Sequence, residues 1–178
     1  IGIHPAVTSA VSMDAKFEGD LVYVIGETRE ELGGSEYFLH LGSLGNRVPA
    51  LDLGSARARY GRLTKAIERG LVASAFPVSH GGLIIALAKV SIAGRLGMEI
   101  AIPSAMRPDF YLFSESLGRF VVTVSPGNRQ AFEESMGGVA MLLGRVGGSC
   151  LRVTAGRPII DLPVAELEAT YRAPFGGY

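Results

Sequence analysis

Three short segments combine glycine, serine and charged residues at places where an apolar run meets a polar one. They are Glu31-Leu32-Gly33-Gly34-Ser35-Glu36-Tyr37, Ser79-His80-Gly81-Gly82-Leu83 and Leu112-Phe113-Ser114-Glu115-Ser116-Leu117-Gly118-Arg119-Phe120. Glycine lets the backbone approach a ligand closely, and free N–H groups at a helix start attract anions such as phosphate. The first two segments therefore predict either a phosphate-binding turn or a tight turn that allows close packing.

The third segment places hydroxyls, a carboxylate and a guanidinium within six residues, Ser114 to Arg119. Glu115 is suited to accept a ligand hydroxyl or to reach a metal ion. Arg119 is suited to pair with Glu115 or to hold a phosphate between two N–H groups. The competing interpretation is a local salt bridge that orders a loop before a strand.

Other reactive residue types favour no catalytic or metal site. Cys150 is the sole cysteine and lies in an apolar strand context, which predicts a buried, unreactive thiol and a reducing compartment. His4, His40 and His80 are too scattered to predict a metal site. The sequence has no P-loop and no dinucleotide fingerprint, so any main ATP-binding machinery is expected elsewhere.

The composition narrows the class of partner. Lys and Arg together number 17, as do Asp and Glu, and this balance argues against nucleic acid as the main partner. No apolar run is long enough to span a membrane, so we expect a cytoplasmic protein. Hydrophobic residues make up 48% of the chain, which is typical either of a large core or of a domain from a larger assembly. The start at Ile1, without Met or a signal pattern, leads us to expect a fragment of a longer chain.

The elements that must position these segments alternate between β-rich and helical patterns. We predict strands over 21–25, 72–78, 97–102, 120–124, 139–146, 149–154 and around 159–160, and helices over 35–41, 55–71, 81–93, 128–136 and 164–171. The alternation predicts one domain of the α/β or α+β class, residues 1–178, with a mixed β-sheet flanked by helices. Ser35 is the expected N-cap of the first helix, and Gly147-Gly148 predicts a hairpin or adjacent strands. The basic residues of the helix over 55–71, Arg59 and Arg62 among them, are expected to face solvent.

At the three segments the sequence resembles phosphoribosylformylglycinamidine synthase, in the last domain of that enzyme. The first segment resembles its Gly-Gly-Ser-x-Tyr signature, the second its Ser-[acidic]-Gly-Gly-Leu helix start, and the third its Phe-Ser-Glu-Ser…Arg-Phe segment. Weaker matches at Val11-Ser12-Met13-Asp14, along 19–26 and at Tyr171-Arg172-Ala173-Pro174 extend the resemblance over nearly the whole chain.

The resemblance implies the C-terminal domain fold of the aminoimidazole ribonucleotide synthetase superfamily, in the position of the second B domain. It implies an ATP-dependent ligase of purine synthesis that converts formylglycinamide ribonucleotide and glutamine-derived ammonia to the amidine. ATP and Mg would be bound mainly by domains absent from this chain. The implied partners are the remaining domains, a glutaminase and small accessory subunits, and the isolated domain is expected to self-associate and to be inactive. The nucleotide- or substrate-binding positions that it implies are Gly33, Gly34, Ser35, Ser79, Gly81, Gly82, Ser114, Glu115, Ser116 and Arg119.

The second segment departs from the family pattern, since Pro77 and His80 stand where the family has acidic residues. This departure favours a mainly structural role. Two alternatives therefore stay open beside the ligase domain. One is a non-catalytic scaffold, and the other is the equivalent domain of selenophosphate synthetase, thiamine-monophosphate kinase or a hydrogenase-maturation protein.

Overall fold

A seven-stranded mixed sheet forms the centre of the computed structural model, which describes residues 7–176 apart from the side chain of Phe175. The strands are β1 Leu21–Ile25, β2 Ser74–Pro77, β3 Met98–Ala101, β4 Phe120–Val124, β5 Ala140–Val146, β6 Cys150–Thr154 and β7 Pro158–Pro163. Their spatial order is β2-β4-β1-β5-β3-β6-β7, and β3 with β6 is the parallel pair within this sheet. The predicted mixed sheet flanked by helices is confirmed. Ile1 and His4, on which the sequence analysis drew, lie outside the described residues.

Within residues 7–176, six α-helices cover the sheet. They are α1 Glu36–His40, α2 Leu53–Glu68, α3 Gly82–Gly94, α4 Pro108–Phe113, α5 Arg129–Met136 and α6 Val164–Arg172. α3 carries apolar residues nearly all round because it packs on the sheet with one side and meets α4 and α6 with others. α2 and α5 pack against each other on the opposite face.

Strand β1 shows how the sequence builds two cores. Its side chains alternate between faces, so Val22 and Val24 join the core under α3 while Tyr23 and Ile25 join the core under α2 and α5. All four are buried. A short run that is apolar at every position thus reads correctly as a strand buried on both faces.

The prediction of a hairpin or of adjacent strands at Gly147-Gly148 is wrong. β5 and β6 do not pair, because β3 lies between them, antiparallel to β5 and parallel to β6. The glycine turn instead closes around the start of β3: the Gly147 N–H donates to the Gly97 carbonyl at 2.9 Å, and the Gly97 N–H donates to the Gly148 carbonyl at 2.7 Å. An incoming strand from earlier in the chain is a long-range pairing that local turn chemistry does not encode.

Two smaller expectations also need correction. The basic side of α2 is not wholly solvated, because Arg62 donates to the Met136 carbonyl at 2.6 Å and so satisfies the end of α5. Cys150 is half-buried rather than buried, at the start of β6 beside the edge strand. None of the helices between residues 7 and 176 has the length and apolarity that crossing a bilayer requires.

Candidate functional site

The starts of α1 and α3 meet at one carboxylate. Oε1 of Glu115 accepts a hydrogen bond from the Gly81 N–H at 2.8 Å and another from the Glu36 N–H at 3.0 Å. Its side chain is only 14% exposed. Helix N-termini leave N–H groups without intrahelical partners and favour negative charge, so the carboxylate holds the place that an anion would take.

Ser35 caps α1 as the sequence predicts. Its hydroxyl accepts from the Phe38 N–H at 3.3 Å and donates to the Leu32 carbonyl at 2.7 Å, and the residue is buried. Tyr37 stacks on Phe113 at the end of α4, with ring centroids 4.4 Å apart. The cap and the aromatic contact fix α1 against the segment that carries Glu115.

Gly33 and Gly82, one in each of the first two segments, allow close backbone packing. A Cβ on Gly82, whose φ is +73°, would lie 2.6 Å from the Leu112 carbonyl oxygen, so α3 begins directly against the end of α4. A Cβ on Gly33 would lie 2.7 Å from the Arg47 backbone, to which the Gly33 N–H also donates. The Gly34 N–H donates to the Leu44 carbonyl at 2.8 Å. The N–H groups of both glycines in the first segment are therefore engaged by protein acceptors.

Ser114 and Ser116 tie the third segment to the chain that follows β1. The hydroxyl of Ser114 accepts from the Glu31 N–H at 3.3 Å, and that of Ser116 accepts from the Arg29 N–H at 3.1 Å. Both serines are buried. The two serine hydroxyls and the two N–H groups that they bond have the same spacing of two residues along their segments. These paired bonds order the loop over 26–31.

Arg119 is buried and forms no ion pair with Glu115 within the described part of the chain. Its Nε donates to the Ser116 carbonyl at 3.0 Å, its Nη1 to the Thr28 hydroxyl at 2.8 Å, and its Nη2 to the Ser114 carbonyl. Burial lowers the pKa of Arg119 to about 10, so the guanidinium keeps its charge at neutral pH. With each of its nitrogens bonded inside the protein and 1% exposure, this side chain shapes the loop and presents no free fork to a phosphate.

His80 and Ser79 lie at the outer edge of the residues around Glu115 and are exposed. His80 Nδ1 lies 3.8 Å from Glu36 Oε1 and 3.9 Å from Glu115 Oε2, so the histidine faces two carboxylates. The Ser79 carbonyl accepts from the Gly82 N–H at 3.0 Å and closes the turn into α3. Among residues 7–176 no group of three His, Cys, Asp or Glu side chains is placed to hold a metal ion.

The structure brings the three segments together. Gly33 to Glu36, Ser79 to Gly82 and Ser114 to Arg119 form one connected node, which we call the Glu115 node. Sequence reasoning missed Thr28 and Arg29, whose hydroxyl and backbone groups receive the third segment together with the Glu31 N–H. Nothing in their local pattern marks them, because their partners lie more than 80 residues away.

The sequence of the chain matches a described family and several named relatives. Residues 18–155 match the family described as AIR synthase related protein, C-terminal domain. The chain is 36% identical over 177 residues to the phosphoribosylformylglycinamidine synthase subunit PurL of Moorella thermoacetica, which covers 97% of this chain and 24% of that protein. The PurL subunit of Methanocaldococcus jannaschii is 33% identical over 165 residues, or 89% of this chain and 22% of the relative. The chain therefore spans about a quarter of the length of these relatives.

Solved structures share the fold. A Thermotoga maritima PurL complexed with FGAR superposes with a TM-score of 0.80 at 20% identity, over 91% of this chain and 30% of that one. The same protein complexed with ATP gives a TM-score of 0.71 at 20% identity, and the Thermotoga maritima PurLQS structure gives 0.76 at 21%; each covers 91% of this chain and 28% of theirs. The Escherichia coli hydrogenase maturation protein HypE gives 0.61 at 19% identity, over 86% of this chain and 52% of its own.

Proposed function

Because the chain belongs to the family of AIR synthase related proteins, as their C-terminal domain, we propose that it serves as the last domain of a phosphoribosylformylglycinamidine synthase. The complete enzyme would convert formylglycinamide ribonucleotide, ATP and glutamine-derived ammonia to the amidine, in the cytoplasm. ATP and Mg would be held mainly by other domains, with a glutaminase and small accessory subunits as further partners. The family match, the PurL relatives at 36% and 33% identity over most of the chain, and the three joined segments support this assignment over the related kinases and maturation proteins.

Within that enzyme we assign the domain a supporting role, and one observation carries the assignment. Oε1 of Glu115 already accepts from the N–H groups of Gly81 and Glu36, the two helix starts that predicted an anion site. The Gly33 and Gly34 N–H groups are likewise bonded within the protein, and Arg119 is buried. A node whose donors are satisfied internally is rigid, and a rigid node is suited to position a neighbouring cleft.

The second candidate is a nucleotide or phosphate site at the same node, with the ten positions named in the sequence analysis as its lining. The exposure of Ser79 and His80 at the mouth of the node favours it. A phosphate would then have to displace the carboxylate of Glu115 from the two N–H groups, because both ligands need the same donors.

A chimera tests the enzyme assignment. This chain replaces the matching quarter of the Moorella relative, and formation of the amidine from formylglycinamide ribonucleotide, ATP and ammonia is measured. We expect measurable amidine formation, at a rate reduced by up to about a hundredfold from the parent enzyme, since small misplacements by a positioning domain slow the reaction strongly. A folded chimera that hydrolyses no ATP and forms no amidine contradicts the assignment.

A titration separates the two roles of the node. Inorganic phosphate and ATP are added separately to the chain while the amide resonances of Glu36 and Gly81 are followed by NMR. The supporting role predicts no saturable shift at millimolar ligand, both in the native chain and in the control Glu134→Gln. A saturable shift at these two amides, strengthened by Glu115→Gln, establishes the binding site instead.

A further inference from the structure

The segment between the middle of α1 and the start of α2 exposes an unusual number of large apolar side chains. Fifteen residues, 39–53, contain six that are more than 40% exposed: Leu39 66%, Leu41 58%, Leu44 75%, Val48 64%, Leu51 41% and Leu53 74%. We call these six residues the leucine loop surface. Scattered exposed apolar residues are normal, but such a concentration marks an interaction surface.

The leucine loop surface contains few charged residues that would favour its exposure to solvent. Between 39 and 53 the ionisable residues are His40, Arg47 and Asp52. Arg47 Nη1 is paired with Glu30 at 3.3 Å, and Asp52 caps α2 through the Gly54 and Ser55 N–H groups. Asp52 is thus engaged as a cap, whereas the Arg47 side chain stays 72% exposed and shares the surface with His40 and the six apolar side chains.

The backbone beneath the surface is fixed. The Leu44 and Arg47 carbonyls accept from Gly34 and Gly33, and the Ser43 N–H donates to the Phe38 carbonyl at 2.8 Å. An ordered loop has little conformational entropy left to lose on binding, which favours docking of a second surface. A flexible apolar loop would instead tend to fold back on its own core.

The surface is continuous with the Glu115 node. Gly33 and Gly34 belong to the node and hold the leucine loop directly. At the other end, a Cβ on Gly118 would lie 3.6 Å from Leu51 Cδ1, next to Leu117, which is 47% exposed. Whatever covers the leucine loop surface is thereby placed against the node.

We propose that the leucine loop surface is the docking face for another domain of the synthase, one that supplies an apolar patch of its own. The proposal rests on the proposed function. The length of the PurL relatives supports a domain of the same protein as the occupant. About three quarters of each relative lies outside its match to this chain, which is ample to cover the surface. A second copy of this chain is the competing occupant, and the test separates the two.

Cysteine labelling tests the proposal in the same Moorella chimera. Cys150→Ser removes the native thiol, and Leu44→Cys or Glu134→Cys introduces one; Glu134 is exposed on α5 and serves as the control. Maleimide labelling is followed by mass spectrometry of the peptide that carries the new cysteine, in the 178-residue chain alone and in the chimera. We expect labelling of Leu44→Cys to slow by about tenfold or more in the chimera, and that of Glu134→Cys by less than about twofold, because only buried sites depend on local opening.

The outcomes distinguish this proposal from the proposed function. Equal slowing at both sites, or none at Leu44→Cys, overturns the docking face even if the chimera makes the amidine. Slowing at Leu44→Cys in a folded but inactive chimera supports the docking face and contradicts the enzyme assignment. Concentration-dependent protection of Leu44→Cys in the chain alone, without further protection in the chimera, shows that a second copy is the occupant and overturns the proposal.

Discussion

Replacement of Glu115 by alanine tests whether the node is held by one carboxylate. The change removes the acceptor of the Gly81 and Glu36 N–H groups, at 2.8 and 3.0 Å. Hydrogen bonds to a charged group contribute about 1.5–3 kcal/mol each, and the freed N–H groups regain part of that from water at the edge of the node. We therefore expect a loss of about 2–4 kcal/mol in the free energy of unfolding, or about 4–16 °C in Tm for a chain of this size.

The assay is urea unfolding followed by circular dichroism, together with amide hydrogen exchange. Glu115→Gln keeps an acceptor oxygen without the charge and is expected to lose about half as much. Glu134→Ala is the matched control. Among the described residues its carboxylate accepts only from Gln130 on the same exposed helix face, so the change should alter stability by less than about 0.5 kcal/mol. If Glu115→Ala behaves like this control and exchange at Gly81 and Glu36 is unchanged, the two helix starts are not held by this carboxylate, and the supporting role fails.

Three further outcomes follow from the same structure. Gly82→Ala should cost about 2 kcal/mol or more in urea unfolding, because its φ of +73° and the Leu112 carbonyl oppose a Cβ, whereas Gly61→Ala on α2 meets nothing within 4 Å and should gain about 0.5–1 kcal/mol; equal effects would contradict the packing argument. Arg119→Lys should lose about 2 kcal/mol or more, since a lysine cannot reproduce the three bonds of the buried guanidinium, and a neutral result would show that the loop is ordered by other contacts. Burial raises the pKa of Asp20 above its ordinary 3.8, and one carboxylate oxygen has no hydrogen-bond partner, so ionisation of the folded protein costs stability at neutral pH. Asp20→Asn should therefore raise Tm at pH 7, and the gain should vanish as the pH falls below 3.8, where Asp20 is protonated in both states; a gain that persists in acid would refute the burial argument.

The sequence determined most of the elements and singled out the three segments, although the short helix α4 was not predicted. The run over Leu21–Ile25 is apolar at every position because both faces of β1 are covered, and the all-round apolar pattern of α3 follows from contacts on several sides. Ser35 caps α1 as its position predicts, since capping depends on groups three residues apart. Such elements and caps can be predicted from the sequence because the interactions that cause them involve residues close together in the chain.

Only the tertiary structure decided what those groups do. The pairing of β3 between β5 and β6 and the bonds from Glu115 to Gly81 and Glu36 join residues far apart in the chain. A serine, a glutamate and an arginine in one loop are equally compatible with a ligand site and with a set of hydrogen bonds to the protein's own backbone. The donors and acceptors of these side chains are available to a ligand only if no backbone group from a distant part of the chain bonds to them. The packing of α1, α3 and the loop after β1 decides whether such backbone groups are in reach.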